Sequence, residues 1–199
     1  NARPDETLRR AGMFKEHAMQ PNGSVPTFNH NDLTVVDIPV SIFVAGYQAD
    51  TSNSLEMNAE PGTSPVSRVI HKMMEEPLDV SLLEAHPAGQ MASAYTNFIN
   101  LDTLDPLYKY TMGLRVSRAD ELPVDVGVAE VPPGQFLALE VPGPFHSTIP
   151  AAWSWLLNQF AERALPWRRT FTGDVELYDF GPDERDSRCT IYVAVESAT

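Results

Sequence analysis

The side chains here that could do chemistry are one glutamate in a strand, a set of aromatic residues, one cysteine and five histidines. Glu176 lies in Asp174-Val-Glu-Leu-Tyr178. Side chains alternate along a strand, so Glu176 and Tyr178 share one face. Val175 and Leu177 take the other face, predicted toward the helices. From the strand alone, Glu176 fits a solvent-exposed position on an open sheet face. In an apolar cleft it would instead need a cation or hydrogen-bond donors to offset its desolvation. A ligand cation would serve, and flanking rings would add about 0.5–2 kcal/mol of cation–π attraction. The same alternation pairs Tyr108 with Tyr110, and Tyr95 with Asn97. Some of these are predicted to line a pocket, although core packing is the ordinary role of any one aromatic residue. Trp153 falls on an apolar helical stripe and reads as core. Trp155 lies off that stripe, at the surface or at a pocket edge. Trp167, in Leu165-Pro-Trp-Arg-Arg169, sits on a connection and fits equally a ligand contact or a core plug.

Other chemistry finds little support. The lone Cys189 lies in a strand-like run and reads as a buried structural thiol. A single cysteine excludes an internal disulfide and fits a cytoplasmic protein. His17, His30, His71, His86 and His146 are scattered, with no metal-ligand spacing. No phosphate-binding glycine loop is present. The sequence therefore predicts no metal and no cofactor. With 14 Lys+Arg against 27 Asp+Glu, the net charge of -13 opposes direct binding of DNA or RNA. No apolar run is long enough to cross a bilayer as a helix.

The elements that must position these groups follow from periodicity and punctuation. Residues 1–31 are polar and rich in Asn, Pro and Gly, with a helix conceivable only over Glu6 to Met19. Because the chain begins at Asn1, they are predicted to be a linker or the tail of an upstream segment. The ordered domain is predicted over 32–199, in halves of about 32–118 and 124–197. In the first half, Leu33 to Pro39 and Val40 to Tyr47 read as antiparallel strands. A loop from Thr51 to Thr63 follows. Ser64 then caps a helix with Pro65 at its first position; Val66, Val69, Ile70 and Met73 line one face, and Pro77 ends it. Met91 to Ile99 and Leu107 to Val116 read as strands.

The second half replays this order. Val126 to Val131 is a strand, Pro132-Pro133-Gly134 is predicted to be a tight reversal, and Gln135 to Val141 returns. Ser147 or Thr148 is predicted to cap a helix carrying Trp153, Leu156, Leu157, Phe160 and Ala164 on one face. Val175 to Phe180 and Cys189 to Val195 close the set. Val35, Asp37, Ile38, Pro39, Phe43 and Ala45 match Val128, Glu130, Val131, Pro132, Phe136 and Ala138 at one constant offset. The predicted fold is α+β: tandem duplicated strand-strand-helix-strand-strand units form one curved antiparallel sheet with two helices on one face. The opposite face is predicted to curve around a ligand.

Four stretches resemble the GyrI-like small-molecule-binding domains, also called bacterial transcription activator effector-binding domains. They are Tyr108-Lys-Tyr-Thr-Met-Gly-Leu-Arg-Val116, Val131-Pro-Pro-Gly-Gln-Phe-Leu-Ala138, Val141-Pro-Gly-Pro144 with the Trp153 helix, and Asp174-Val-Glu-Leu-Tyr178. The resemblance spans 33–196. Two features depart from it: a longer, more polar loop from Leu78 to Gln90, and Met73-Met74 where aromatic residues are common. The resemblance implies a cleft between the halves that binds lipophilic, often cationic, molecules, with Glu176 as the charged contact. Tyr178, Tyr108, Tyr110, Tyr95 and Trp167 are the expected lining. It further implies a ligand sensor of a bacterial transcription regulator, as in AraC-type proteins, touching DNA only through a separate helix-turn-helix domain. A homodimer is compatible with this. One alternative is a GyrI-like hydrolase of reactive small molecules, in which Glu176 with Tyr110 or Tyr178 does acid–base work. It ranks lower because no activated nucleophile is visible. A second alternative is a standalone gyrase-modulating protein, which the dispersed acidic charge does not favour.

Overall fold

The computed structural model describes residues 26–78, 90–103, 105–117 and 126–198. The expected helix over Glu6 to Met19 and the polar loop after Leu78 lie outside them. Two strands open the fold, β1 (Leu33–Ile38) and β2 (Ile42–Thr51). Helices α1 (Asn53–Asn58) and α2 (Pro65–Glu75) follow. Four strands come next: β3 (Met91–Ile99), β4 (Leu107–Val116), β5 (Gly127–Val131) and β6 (Gly134–Pro142). Helix α3 (Phe145–Ala161) precedes β7 (Trp167–Arg169), β8 (Asp174–Asp179) and β9 (Arg188–Ser197).

Helix α2 starts as its residues predict. Ser64 Oγ accepts the Ser67 amide at 3.1 Å, and Pro65 occupies the first turn. Its buried residues, Val69 and Met73, belong to one face. Helix α1 replaces part of the expected loop, and its cap is the reason. Ser52 Oγ accepts the Leu55 amide at 3.3 Å, while Asp105 accepts the Ser54 amide at 3.1 Å and the Ser52 hydroxyl at 2.7 Å. Asp105 lies about 50 residues away in the chain, so local reading could not supply it. Helix α3 starts at Phe145, before the predicted caps. Thr148 Oγ1 instead donates back to the carbonyls of Pro142 (2.6 Å) and Pro144 (3.0 Å). The three-residue β7 had no sequence signal.

The sheet runs β1-β6-β9-β8-β3-β4-β2-β5, with β7 paired to β9 off this path. All its ladders are antiparallel. The order reads the same in both directions if β1 to β4 exchange with β5, β6, β8 and β9. The duplication seen in sequence is thus a pseudo-twofold in space, with β3 and β8 at its seam. The pairing of leading strands differs from expectation. β1 pairs with β6, Val35 facing Leu137, and β5 pairs with β2, Ala45 facing Val128. Each half lends its first strand to the other. A two-residue hairpin requires positive φ at its central positions, whereas proline is fixed near −65°. Pro132-Pro133 therefore cannot close the reversal, and the strands diverge.

Both sheet faces are packed. One cluster joins Val69 and Met73 of α2 and Phe145, Ala152 and Leu156 of α3 to Tyr110, Met112, Leu139, Tyr178 and Ile191. The other holds Ile42, Val44, Ala92, Ala94, Ala129, Val131, Phe136, Val175, Leu177 and Ala194, with no helix residue. This corrects the expected orientation of β8: Val175 and Leu177 face away from the helices, and Tyr178 faces them. The sheet curls until β3 and β5, which are not neighbours in it, touch across the helix-free face. The sheet stays open, with β1 and β5 at its edges. Among the described residues no helix is long and apolar enough to cross a membrane.

Candidate functional site

The seam between the halves carries the site. In the β3–β8 ladder Ser93 faces Glu176, and in the β3–β4 ladder Tyr95 faces Tyr110. Ser93, Tyr95, Tyr108 and Tyr110 come from the first half; Trp153, Glu176 and Tyr178 come from the second. Glu176 is 1% exposed. Its Oε1 accepts the Tyr95 hydroxyl at 2.7 Å and the Trp153 indole Nε1–H at 2.6 Å. Its Oε2 accepts the Tyr178 hydroxyl. Ser93 Oγ lies 2.9 Å from the Tyr110 hydroxyl and 3.3 Å from that of Tyr178. Among the described residues, Glu176 forms no ion pair.

The electrostatics follow. Burial pushes the Glu176 carboxyl above its ordinary value, and hydrogen bonds from Trp153, Tyr178, Tyr95 and Ser93 pull it partly back. Burial, then the nearby Glu176 charge, raises the phenols of Tyr95, Tyr110 and Tyr178. These groups therefore stay neutral donors. The rings pack in two groups, one around Tyr95 and one around Tyr178. Tyr95 lies 5.1 Å from Trp153, 5.3 Å from Tyr110 and 5.7 Å from Tyr108 between centroids. Tyr108 continues to Phe98 at 5.6 Å, and Tyr178 meets Phe145 at 5.5 Å.

The structure therefore brings together Glu176, Tyr178, Tyr95 and Tyr110, with Tyr108 one ring further out. It sets them on the helix-covered face instead of the helix-free face expected from alternation. Alternation shows which residues share a face, but both faces of β8 are buried, so it does not show which one the helices cover. Trp167 packs against the same hydrophobic core, with no hydrogen bond or ring contact to Glu176 or these tyrosines among the described residues. It lies half-buried on β7, paired with Ser197. Asn97 is exposed at a left-handed φ of 53°, where the β3–β4 register shifts. Trp153 was read as core, and its ring does pack there, but its N–H also serves the carboxylate. The signal was available: a buried indole needs an acceptor. Ser93, flanked by alanines, gave no signal.

Cys189 is fully buried, its thiol raised chiefly by desolvation. No metal-binding cluster occurs among the described residues. Two surface depressions, of about 420 Å³ beside β2 and α2 and about 620 Å³ beside α1, lie away from Glu176. The conformation described is thus closed over the carboxylate. Chemically, the cluster offers one unpaired anion, neutral donors already engaged and a broad aromatic wall. It suits a cation with an apolar body that displaces the indole.

A family model described as Cass2, integron-associated effector binding protein, matches residues 40–195. An integron cassette protein from the mobile metagenome of Vibrio cholerae shares the fold at 19% identity and a TM-score of 0.63, the match covering 82% of this chain and 95% of that one. SAV2435, solved bound to tetraphenylphosphonium, is 11% identical with a TM-score of 0.60, over 82% of this chain and 93% of that one. At these identities the structural likeness concerns the fold. No curated protein sequence matches the chain.

Proposed function

This chain belongs to the Cass2 family of integron-associated effector binding proteins, a GyrI-like family, and on that premise we propose that it binds lipophilic cations at Glu176 in the seam between its halves. The observation that carries this reading is a fully buried carboxylate with no counter-charge among the described residues, walled by aromatic rings. Such a carboxylate is held only by neutral donors, so a ligand cation gains Coulomb attraction and cation–π contact together. Tyr95, Tyr110, Tyr178 and Tyr108 are the proposed lining, with Trp153 turning aside as ligand arrives. Trp167, packed against the same core from β7, is a further proposed contact. The cation bound to SAV2435, a protein of the same fold, is consistent with this ligand class.

The test is a titration of tetraphenylphosphonium followed by tryptophan fluorescence, with Glu176→Gln alongside. Affinity should fall at least about tenfold in the variant, about 1.4 kcal/mol. Equal affinity would overturn the assignment.

The biological setting we infer is ligand sensing in a bacterial transcription regulator of the cytoplasm. The acidic charge of -13 supports DNA contact through a separate domain only. Absence of any DNA-binding domain in the regulator's own operon products and no ligand-dependent transcription would refute it. A second reading is favoured by the hydrogen bonds from Tyr95 and Tyr178 to a carboxyl of raised pKa. Such a set could activate water against a reactive electrophile. Turnover lost in Glu176→Gln would support it; no turnover of strained electrophiles by the wild type would exclude it.

A further inference from the structure

We propose that the groove between α2 and β2 is a second ligand site, selective for small amphipathic anions such as aromatic carboxylates or sulfonates. The groove encloses about 420 Å³. Among the described residues its lining includes Arg68 and Lys72 and no carboxylate, in a chain with 27 acidic and 14 basic residues. Four other cations have an acidic partner: Lys109 with Asp50, Arg168 with Glu196, Arg169 with Asp174 and Arg188 with Glu140. Among the described residues, Arg68 and Lys72 form no ion pair.

The two cations stand four residues apart on α2, so they project side by side. Like charges in that relation destabilise a helix by a few tenths of a kcal/mol, on the order of 0.2–0.5. An anion held between them removes this repulsion. Lys72 Nζ sits 4.5 Å from the centroid of the Tyr47 ring, which holds the ammonium against the groove wall. The Tyr47 hydroxyl is anchored on the Glu76 carbonyl at 2.9 Å. Arg68 supplies a planar fork matched to carboxylate or sulfonate oxygens. Ala49 and Val69 offer an apolar surface beside these charges, where an aromatic ring can lie. The larger depression beside α1 shares Arg68 with the groove but differs from it in holding a carboxylate. Its carboxylate, Asp105, is already engaged by Ser52 and Ser54.

The groove lies on the flank of the first half, outside the seam that holds Glu176. The protein would then carry two sites of opposite ligand charge. The experiment is an amide-resolved NMR titration with naphthalene-2-sulfonate. It compares wild type, the double variant Arg68→Gln/Lys72→Gln, and Glu176→Gln. Saturable shifts are expected at amides of β2 and α2. Affinity should fall at least about tenfold in the double variant, weaken with added salt in the wild type, and stay unchanged in Glu176→Gln. Both substitutions are at exposed helix positions, and an unchanged spectrum elsewhere confirms the fold. Unsaturable binding, shifts confined to other regions, or equal affinity in the double variant would overturn the proposal. Weakening only in Glu176→Gln would place the anion at the seam and overturn it as well.

Discussion

Replacing Glu176 removes the charge at the centre of the protein, and the effect depends on what replaces it. In Glu176→Gln, the amide oxygen can keep the Tyr95 hydroxyl and the Trp153 indole that now lie 2.7 and 2.6 Å from Oε1. The new amide N–H meets the Tyr178 hydroxyl, which can turn its own proton to Ser93, 3.3 Å away. Every polar group keeps a partner. The burial that raises the Glu176 pKa also sets the sign of the pH effect. The folded state holds its proton more tightly than the unfolded state, so the wild type loses stability as pH rises from the ordinary carboxyl range through the raised folded value. Each unit of elevation is worth about 1.4 kcal/mol. The wild type should therefore lose ground to Glu176→Gln as pH rises, and the variant should be at least as stable at pH 8, to within about 1 kcal/mol for weakened hydrogen bonds. Glu176→Ala differs. It strands the Tyr95 and Trp153 donors, each worth about 1–3 kcal/mol, so destabilisation of roughly 2–6 kcal/mol is expected before any cavity effect. Urea denaturation of all three proteins from pH 5 to 8 measures this. A Gln variant as unstable as the Ala variant at pH 8 would refute the reasoning. So would a wild type that gains on the Gln variant with rising pH.

Trp153→Phe keeps an aromatic ring but deletes one donor to the carboxylate. It should destabilise the ligand-free protein by about 1–3 kcal/mol, measured by urea denaturation, and raise tetraphenylphosphonium affinity severalfold, because no indole competes for Oε1. Asp105→Ala removes the distant cap of α1. Exchange of the Ser54 to Asn58 amides should speed up, with a stability loss of about 1 kcal/mol; unchanged exchange would show that α1 holds without it. The Cys189 thiol, buried and raised in pKa, should react with a disulfide reagent at neutral pH far more slowly than in urea. Labelling at the unfolded rate would contradict its burial.

Much of this architecture was legible before any coordinates. The duplication appeared as one constant offset between Val35 to Ala45 and Val128 to Ala138. Ser64-Pro65 marked a helix start that the structure keeps, and β3 and β4 fall on their predicted spans, Met91–Ile99 and Leu107–Val116. Glu176 with Tyr178, and Tyr110 with Tyr108, shared faces as alternation requires. The family resemblance stated from these motifs agrees with the matching family model. The cap of α1 by Asp105 was not legible, because hydrogen bonds between distant residues leave no local pattern. Trp153 was half legible: its stripe placed it in the core, but the destination of its N–H depends on a strand that comes later in the chain.

The sequence by itself determined the element types, the repeat and the pairing of side chains on common faces. These follow from short-range constraints: the two- and 3.6-residue periods, capping hydroxyls and the fixed φ of proline. Tertiary structure alone decided the exchange of β1 and β5 between halves, the face of β8 that the helices cover, and the closure of Trp153 over Glu176. Those outcomes depend on which apolar surface each face meets. β8 is buried on both sides, its Asp174, Glu176 and Tyr178 face as well as its Val175 and Leu177 face, and only the packing of α2 and α3 against the assembled sheet selects the one the helices cover.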